Sequence, residues 1–175
     1  MARVGLIGVG DMGSGLARNL MDSGHELTLF DVREEQLKPF VEDGARAAQS
    51  PRELGEHADF VFVMVMNGAQ IMQIISGDDG LIAGLKPGSI FICTATIERS
   101  ELEAAAEVLT GVGIHVVDAP VSGGAPGAAA GTLTMMVAAE SSVFERVRPV
   151  LDAVGGNIFH MGEEVGLGQT VKASL

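Results

Sequence analysis

Apolar positions along the chain fall into short runs of strand length, separated by segments in which apolar residues recur every three or four positions. Val4 to Val9 is the first run, and Leu16, Ala17 and Leu20 give Ser14 to Met21 the spacing of a helix. Glu26 to Phe30 predicts a second strand. Glu34 to Val41 predicts a helix ending near Gly44, which Pro39 must break or leave with an irregular last turn. Ala45 to Ala48 fits a short edge strand. Ser50-Pro51-Arg52-Glu53 combines a capping serine, a proline at the first helical position and an early glutamate, so a brief helix reaches about Ala58. Phe60 to Met66 is continuously apolar, as in a strand buried on both faces, and it ends at Asn67-Gly68, where a parallel sheet places ligand loops; a helix follows through Ile75.

Further on, Gly80 to Leu85 reads as a helical turn stopped by Lys86-Pro87-Gly88, Ser89 to Cys93 as a strand, Glu101 to Leu109 as a helix and His115 to Asp118 as a strand. This β-α alternation predicts an α/β fold, a doubly wound and mainly parallel sheet with right-handed crossovers. The pattern then changes. Val121 to Gly131 is rich in glycine and alanine, Leu133 to Ala138 is a strand, Val143 to Val154 a helix and Asn157 to His160 a short strand. Together they make a β-α-β extension of the sheet, with its direction left open. Gly162 to Leu175 opens a last helix near Gly168. No internal repeat or linker marks a second domain.

The turn between the first strand and helix carries Gly8, Gly10 and Gly13 in the G-x-G-x-x-G spacing. Gly8 permits the tight turn, Gly10 has no side chain to hold off a pyrophosphate, and Gly13 lets the helix pack close to the strand. The helix N-terminus then offers unpaired N–H groups and a positive dipole end to an anion. Glycine-rich turns are common, but here a strand precedes, a helix follows, and the next strand ends in Asp31, about 20 residues on, where a ribose hydroxyl is bound in a Rossmann-like unit. Asp31 also suits an N-cap for a segment starting at Arg33, and the two roles are compatible.

The 175 residues suit one domain with a substantial core. With 11 Lys and Arg against 23 Asp and Glu, a net charge of −12 argues against a nucleic-acid partner. Cys93 is the single cysteine, which excludes an internal disulfide and a cysteine-based metal cluster and fits a cytoplasmic setting. No apolar run approaches the roughly 18 residues of a membrane span, and no cleavable leader is apparent, so no membrane association is expected.

Three segments remain as candidate substrate groups. Asp118-Ala-Pro-Val-Ser122-Gly123-Gly124 offers a hydroxyl and successive glycine N–H groups, either a nest for a carboxylate or a plain surface turn. Thr94-Ala-Thr96 reaches a cofactor through a hydroxyl or caps the next helix. Lys172 follows two glycines and is read as lying in the first turn of a helix, an electrostatically unfavourable place that a proton-transfer role would explain, although an exposed surface lysine is the commoner case. Glu101, Glu103 and Glu107 read as a solvated helix face. The four histidines lie far apart without metal-ligand spacing, and no metal site is expected.

Gly-Leu-Ile-Gly-Val-Gly-Asp-Met-Gly at 5 to 13, Asp-Ala-Pro-Val-Ser-Gly-Gly at 118 to 124, Gly-Thr-Leu-Thr-Met-Met-Val at 131 to 137 and Gly-x-Gly-x-x-x-Lys at 166 to 172, in this order, resemble the β-hydroxyacid dehydrogenase family, which includes 3-hydroxyisobutyrate dehydrogenase. The resemblance implies an NAD-binding Rossmann domain over residues 1 to 165 and the truncated start of an interdomain helix over 166 to 175, with the family's C-terminal helical domain absent. It implies NAD rather than NADP, hydride transfer at the hydroxyl carbon of a small β-hydroxyacid, and a homo-oligomeric full-length protein; the isolated chain is expected to be poorly active. Cofactor contacts would fall on Gly8, Val9, Gly10, Asp11, Met12, Gly13, Asp31, Val65, Met66, Gln70 and Thr96, substrate contacts on Ser122, Gly123 and Gly124, and catalysis on Lys172. The sequence departs from the family at Met66, commonly proline, at Cys93-Thr94-Ala95, usually Asp-x-Ser, and at Leu175, often asparagine. A non-catalytic dinucleotide-binding or protein-interaction module of the same fold is the competing expectation, and retention of Ser122 and Lys172 speaks against it.

Overall fold

The central strands are apolar at every position because both faces of the sheet are covered. In the computed structural model, which describes residues 1–175, the chain runs β1 (Arg3–Ile7), α1 (Asp11–Asp22), β2 (Glu26–Phe30), a 3-10 turn (Glu34–Gln36), α2 (Lys38–Glu42), β3 (Arg46–Ala47), α3 (Pro51–Glu56), β4 (Phe60–Val63) and α4 (Gly68–Ser76). It continues through a 3-10 turn (Leu81–Ala83), β5 (Ile90–Cys93), α5 (Arg99–Gly111), β6 (His115–Asp118), β7 (Val121–Ser122), α6 (Gly124–Ala130), β8 (Leu133–Ala138), α7 (Ser141–Asp152), β9 (Gly155–Gly162) and α8 (Leu167–Ala173). Strand side chains alternate between two separate cores. Val4, Leu6, Phe62, Ile90 and Ile92 meet α1, α2, α6 and α7 on one face. Ile7, Val61, Val63, Phe91 and Cys93 meet α3, α4 and α5 on the other.

The sheet order is β3-β2-β1-β4-β5-β6-β8-β7, with β9 paired to β8. The pairs from β3 to β6 are all parallel. Phe30, Ile7, Val63, Cys93 and Asp118 lie opposite one another in a row across the strand ends. Asp31, Gly8, Met64, Thr94 and Ala119 therefore start the loops along one edge. The extension is antiparallel where β8 joins β6 and β7, whereas β9 runs parallel to β8.

Several boundaries differ from the sequence reading. The first strand stops at Ile7 and the fourth at Val63, short of Val9 and Met66, because the chain turns away at Gly8 and the ladder loses its partner; the Met64 N–H still reaches the Ile7 carbonyl at 2.9 Å. The first helix opens at Asp11 rather than Ser14. The segment around Pro39 splits into a 3-10 turn and α2, with Pro39 in the first turn of α2. Val121 to Gly131, read only as rich in glycine and alanine, holds β7 and α6, and the final strand extends over Gly155–Gly162.

Candidate functional site

Gly8 has φ +99°, and its missing side chain leaves room for the Met64 carbonyl; a Cβ there would collide with that oxygen. Gly13 sits against the Gly8 carbonyl in the same way, so α1 lies as close to the turn as backbone permits. Gly10 opens outward, and the one atom near the position of an added Cβ is Nη2 of Arg33, at 3.4 Å. The first intrahelical bond of α1 runs from Ser14 N–H to the Gly10 carbonyl at 2.8 Å, which leaves the N–H groups of Asp11, Met12 and Gly13 unspent within the helix.

Asp31 ends β2 beside this turn and is 8% exposed. Its carboxylate accepts from Val9 N–H at 2.7 Å, from Arg33 N–H at 2.8 Å and from Arg33 Nε at 3.3 Å. Burial alone would push the carboxyl up, but the Arg33 and Val9 N–H groups and the Arg33 guanidinium more than offset it and hold the group below its ordinary value. Asp31 is thus bonded to the N–H two residues on, as in an Asx turn, instead of capping a helix at Arg33; the following 3-10 turn opens at Glu34.

These groups border a cleft of about 940 Å³ lined by Gly8, Gly10, Asp11, Met12, Gly13, Asp31, Arg33, Val65, Met66 and Gln70, among others. It sits where the strand order reverses between β1 and β4, at the switch point of the sheet. Val9 contributes its N–H to Asp31 while its side chain is buried. Asn67 caps α4 by accepting from Gln70 N–H at 2.9 Å, and Gln70 Oε1 accepts from Met66 N–H at 2.7 Å, which fixes the β4–α4 loop at the cleft wall.

Thr96 is exposed and lines an adjoining cavity of about 590 Å³ that shares Met66 and Asn67 with the cleft and is closed by Arg99, Glu101, Gln169, Thr170, Ala173 and Ser174. Neither threonine caps α5. Thr94 Oγ1 donates to the Val63 carbonyl at 2.9 Å, and the cap is Glu98, paired with Glu101 in a capping box, so Glu101 is more than a solvated face. Ser122, Gly123, Gly124 and Lys172 border neither cavity. The β6–β7 segment continues along β8 past the sheet edge, with Asp118 opposite Ala138 and Ser122 opposite Thr134. At about 3.3 Å per residue, Ser122 lies about 13 Å beyond Asp118. Gly123 and Gly124 follow with φ of +132° and +61°, a path that excludes most side chains.

Lys172 is half-buried in the last turn of α8, where the helix dipole favours a cation, so the unfavourable first-turn position is not realised. The two preceding glycines have a structural cause. Gly166 N–H donates to Asp118 Oδ2 at 2.8 Å, and a Cβ on Gly168 would lie 2.6 Å from the Met136 carbonyl and 3.0 Å from Asp118 Cγ. Gln169 carries no motif or spacing that marks it in the sequence. It is 3% exposed, and its amide donates to Asp118 Oδ1 at 3.1 Å and to the Ala95 carbonyl at 3.0 Å while accepting from Ile97 N–H at 3.0 Å.

A glycine turn at the switch point of a doubly wound sheet, with free helix N–H groups and a carboxylate at the next strand end, defines a dinucleotide-binding domain. The chain belongs to the family described as the NAD binding domain of 6-phosphogluconate dehydrogenase, whose profile matches residues 3–162, and its cofactor is NAD. It is 42% identical over 170 residues to an uncharacterized oxidoreductase of Mycobacterium tuberculosis, covering 97% of this chain and 57% of that protein. It is 38% identical over 172 residues to the NAD-dependent L-serine dehydrogenase of Pseudomonas aeruginosa, covering 98% of this chain and 57% of that protein. Among solved structures, the 3-hydroxyisobutyrate dehydrogenase of Mycobacterium tuberculosis with L-serine superposes with a TM-score of 0.94 at 32% identity, over 99% of this chain and 58% of that one. The chain thus spans little more than half the length of these relatives. No helix is long and apolar enough to cross a membrane.

Proposed function

We propose that the whole protein is an NAD-dependent dehydrogenase that interconverts the hydroxyl and carbonyl forms of a small β-hydroxyacid, with this chain as its cofactor-binding part. The observation that carries the reading is the cleft at the β1/β4 switch point, bordered by the Gly8–Gly13 turn and Asp31. The names of the relatives support the substrate class, because L-serine and 3-hydroxyisobutyrate each carry a hydroxyl on the carbon β to a carboxylate.

In this reading the N–H groups of Asp11, Met12 and Gly13 hold the pyrophosphate, and Asp31 accepts from the ribose diol while repelling a 2′-phosphate, which favours NAD over NADP. Val65, Met66, Gln70 and Thr96 flank the rest of the cofactor. The bound nicotinamide supplies or takes the hydride. Ser122, Gly123 and Gly124 hold the substrate carboxylate, and Lys172 Nζ takes the hydroxyl proton in oxidation and returns it in reduction. Gly8 to the cleft wall form one unit over residues 1 to 165, and α8 begins the connection to a substrate-covering part. A cytoplasmic homo-oligomer completes the proposal, consistent with the free, buried Cys93.

The test is a panel of small hydroxyacids assayed with NAD on the full-length protein, together with Lys172→Ala. A β-hydroxyacid should be oxidised, and the variant should lower turnover by about 100-fold or more with little change in NADH affinity. Tight NADH binding with no turnover on any acid, or normal turnover in Lys172→Ala, would overturn the assignment.

A further inference from the structure

Asp118 ends β6 in the row of strand ends, with no exposure to solvent. Four donors converge on it: the N–H groups of Gly166 and Gln169 at 2.8 and 3.2 Å from Oδ2, the Gln169 amide at 3.1 Å from Oδ1, and the Gly168 N–H. Burial pushes its carboxyl above the ordinary value against these bonds. All of the donors belong to the start of α8. Gln169 then carries the connection onward, because the same amide group that meets Asp118 holds the Ala95 carbonyl and the Ile97 N–H on either side of Thr96.

The rotation of α8 about its axis is set at its N-terminal turn, where Asp118 takes the N–H groups of Gly166, Gly168 and Gln169, and Gln169 is the buried side chain of α8 that makes polar contacts in the interior. Lys172 lies three residues on, about 60° around the helix from Gln169. On a side-chain envelope of about 5–6 Å radius, a rotation of about 10° moves a side-chain tip by about 1 Å. A misplacement of that size can cost on the order of 100-fold in rate.

We propose that the buried Asp118–Gln169 pair is a positioning device that locks the rotation of α8 against the Thr94–Ile97 loop, so that Lys172 and Thr96 keep a fixed relation to each other. The inference rests on the Lys172 role proposed above. Asp118 and Gln169 touch no substrate or cofactor in this scheme; they act through the two elements they join. The loss of either partner leaves buried groups facing wrongly. Asp118→Asn turns an amide N–H₂ toward the Gln169 amide, and Gln169→Glu sets two carboxylates face to face. Combining the two changes restores a donor opposite an acceptor within the pair and keeps the total charge, since the residue 118 amide then donates to the residue 169 carboxylate, while the bond to the Ala95 carbonyl stays lost because a carboxylate has no N–H.

The experiment measures kcat, KM and NADH affinity on the full-length protein for Asp118→Asn, Gln169→Glu, the double variant and Lys172→Ala. Each single change should lower kcat at least 10-fold with NADH affinity changed less than about threefold, because the Gly8–Gly13 turn and Asp31 lie apart from the pair, and the double variant should regain at least threefold over Gln169→Glu, short of the original because the bond to Ala95 stays lost. A purely structural role would lower kcat and cofactor affinity together instead of separating them. Should the single variants fail to fold, the double variant decides: a double variant that folds supports the pairing, and one that fails to fold as they do overturns it. Near-normal kcat in the folded single variants, with Lys172→Ala impaired, overturns the positioning role alone. Near-normal kcat in Lys172→Ala overturns the proposed function and the positioning role with it.

Discussion

Replacing Asp31 by alanine separates its structural role from the role toward the cofactor proposed for it. The change removes the acceptor of the Val9 N–H at 2.7 Å and of the Arg33 N–H at 2.8 Å. Val9 is fully buried, so its N–H has no water to turn to, and an unsatisfied buried donor costs about 1–3 kcal/mol. For a domain of this size each kcal/mol lowers Tm by about 2–4 °C, which gives an expected drop of about 2–12 °C by calorimetry near pH 7. The pH dependence fixes the mechanism. Because the folded state holds this carboxyl below its ordinary value, the unfolded chain binds more protons as pH falls, and the stabilisation is complete above the unfolded value of about 3.9 and is lost as pH falls through the lower folded one. The Tm difference between the original protein and the variant should therefore be flat from pH 8 to 6 and shrink below about pH 4. Binding gives an independent readout: loss of charge-assisted bonds worth about 1.5–3 kcal/mol should weaken NADH by roughly 10- to 150-fold, while NADPH, freed from carboxylate repulsion and facing Arg33, should lose much less. An unchanged Tm would refute the role of Asp31 in holding the turn, and an unchanged NADH to NADPH ratio would refute its role at the ribose.

Gly13→Ala should lower stability by about 1–3 kcal/mol and abolish tight NADH binding, since its Cβ would run into the Gly8 carbonyl, whereas Gly111→Ala, with open space around the added methyl and a helical backbone, should raise Tm slightly; equal effects in thermal unfolding and NADH titration would contradict the packing argument. Burial, and then the nearby charge of Asp118, push the Cys93 thiol up to about 12. At pH 8 that leaves about one thiolate in 10,000, so alkylation by iodoacetamide should proceed only at the rate of unfolding, and rapid labelling of the folded protein would show that the strand end opens.

The glycine-turn side of the cleft was legible because its determinants are local. Gly8, Gly10, Gly13 and Asp31 lie within one β-α-β unit, and the bond that closes it, from Val9 to Asp31, spans 22 residues. The buried strands were legible because two cores force both sets of alternating side chains to be apolar. Strand ends were not, because β4 stops at Val63 only where its neighbour β1 turns away. Nor was α6. A helix of Gly-Ala-Pro-Gly-Ala-Ala-Ala has no contrast between faces, and it exists because Gly15 on α1 lets its Ala128–Ala129 backbone approach and Asn19 Nδ2 donates to the Ala128 carbonyl at 2.8 Å.

The two halves of the site thus differ in how they are encoded. The glycine turn that borders the cleft is specified by residues adjacent in sequence and needs only β1, α1 and β2 to take shape. The opposite side depends on contacts across 51 residues between Asp118 and Gln169 and across 74 between Gln169 and Ala95, which join β6, α8 and the β5–α5 loop only after the parallel sheet has brought Cys93 and Asp118 side by side. The G-x-G before Lys172 illustrates the consequence. In sequence its glycines stand beside a candidate proton-transfer lysine, but in the structure they make room for Asp118 and the Met136 carbonyl, and Lys172 lies in the last turn of α8. Gly166 and Gly168 record how closely α8 packs against β6 and β8. Which side chain they support becomes visible when the buried polar groups beneath it, here Asp118 and Gln169, are traced to their partners.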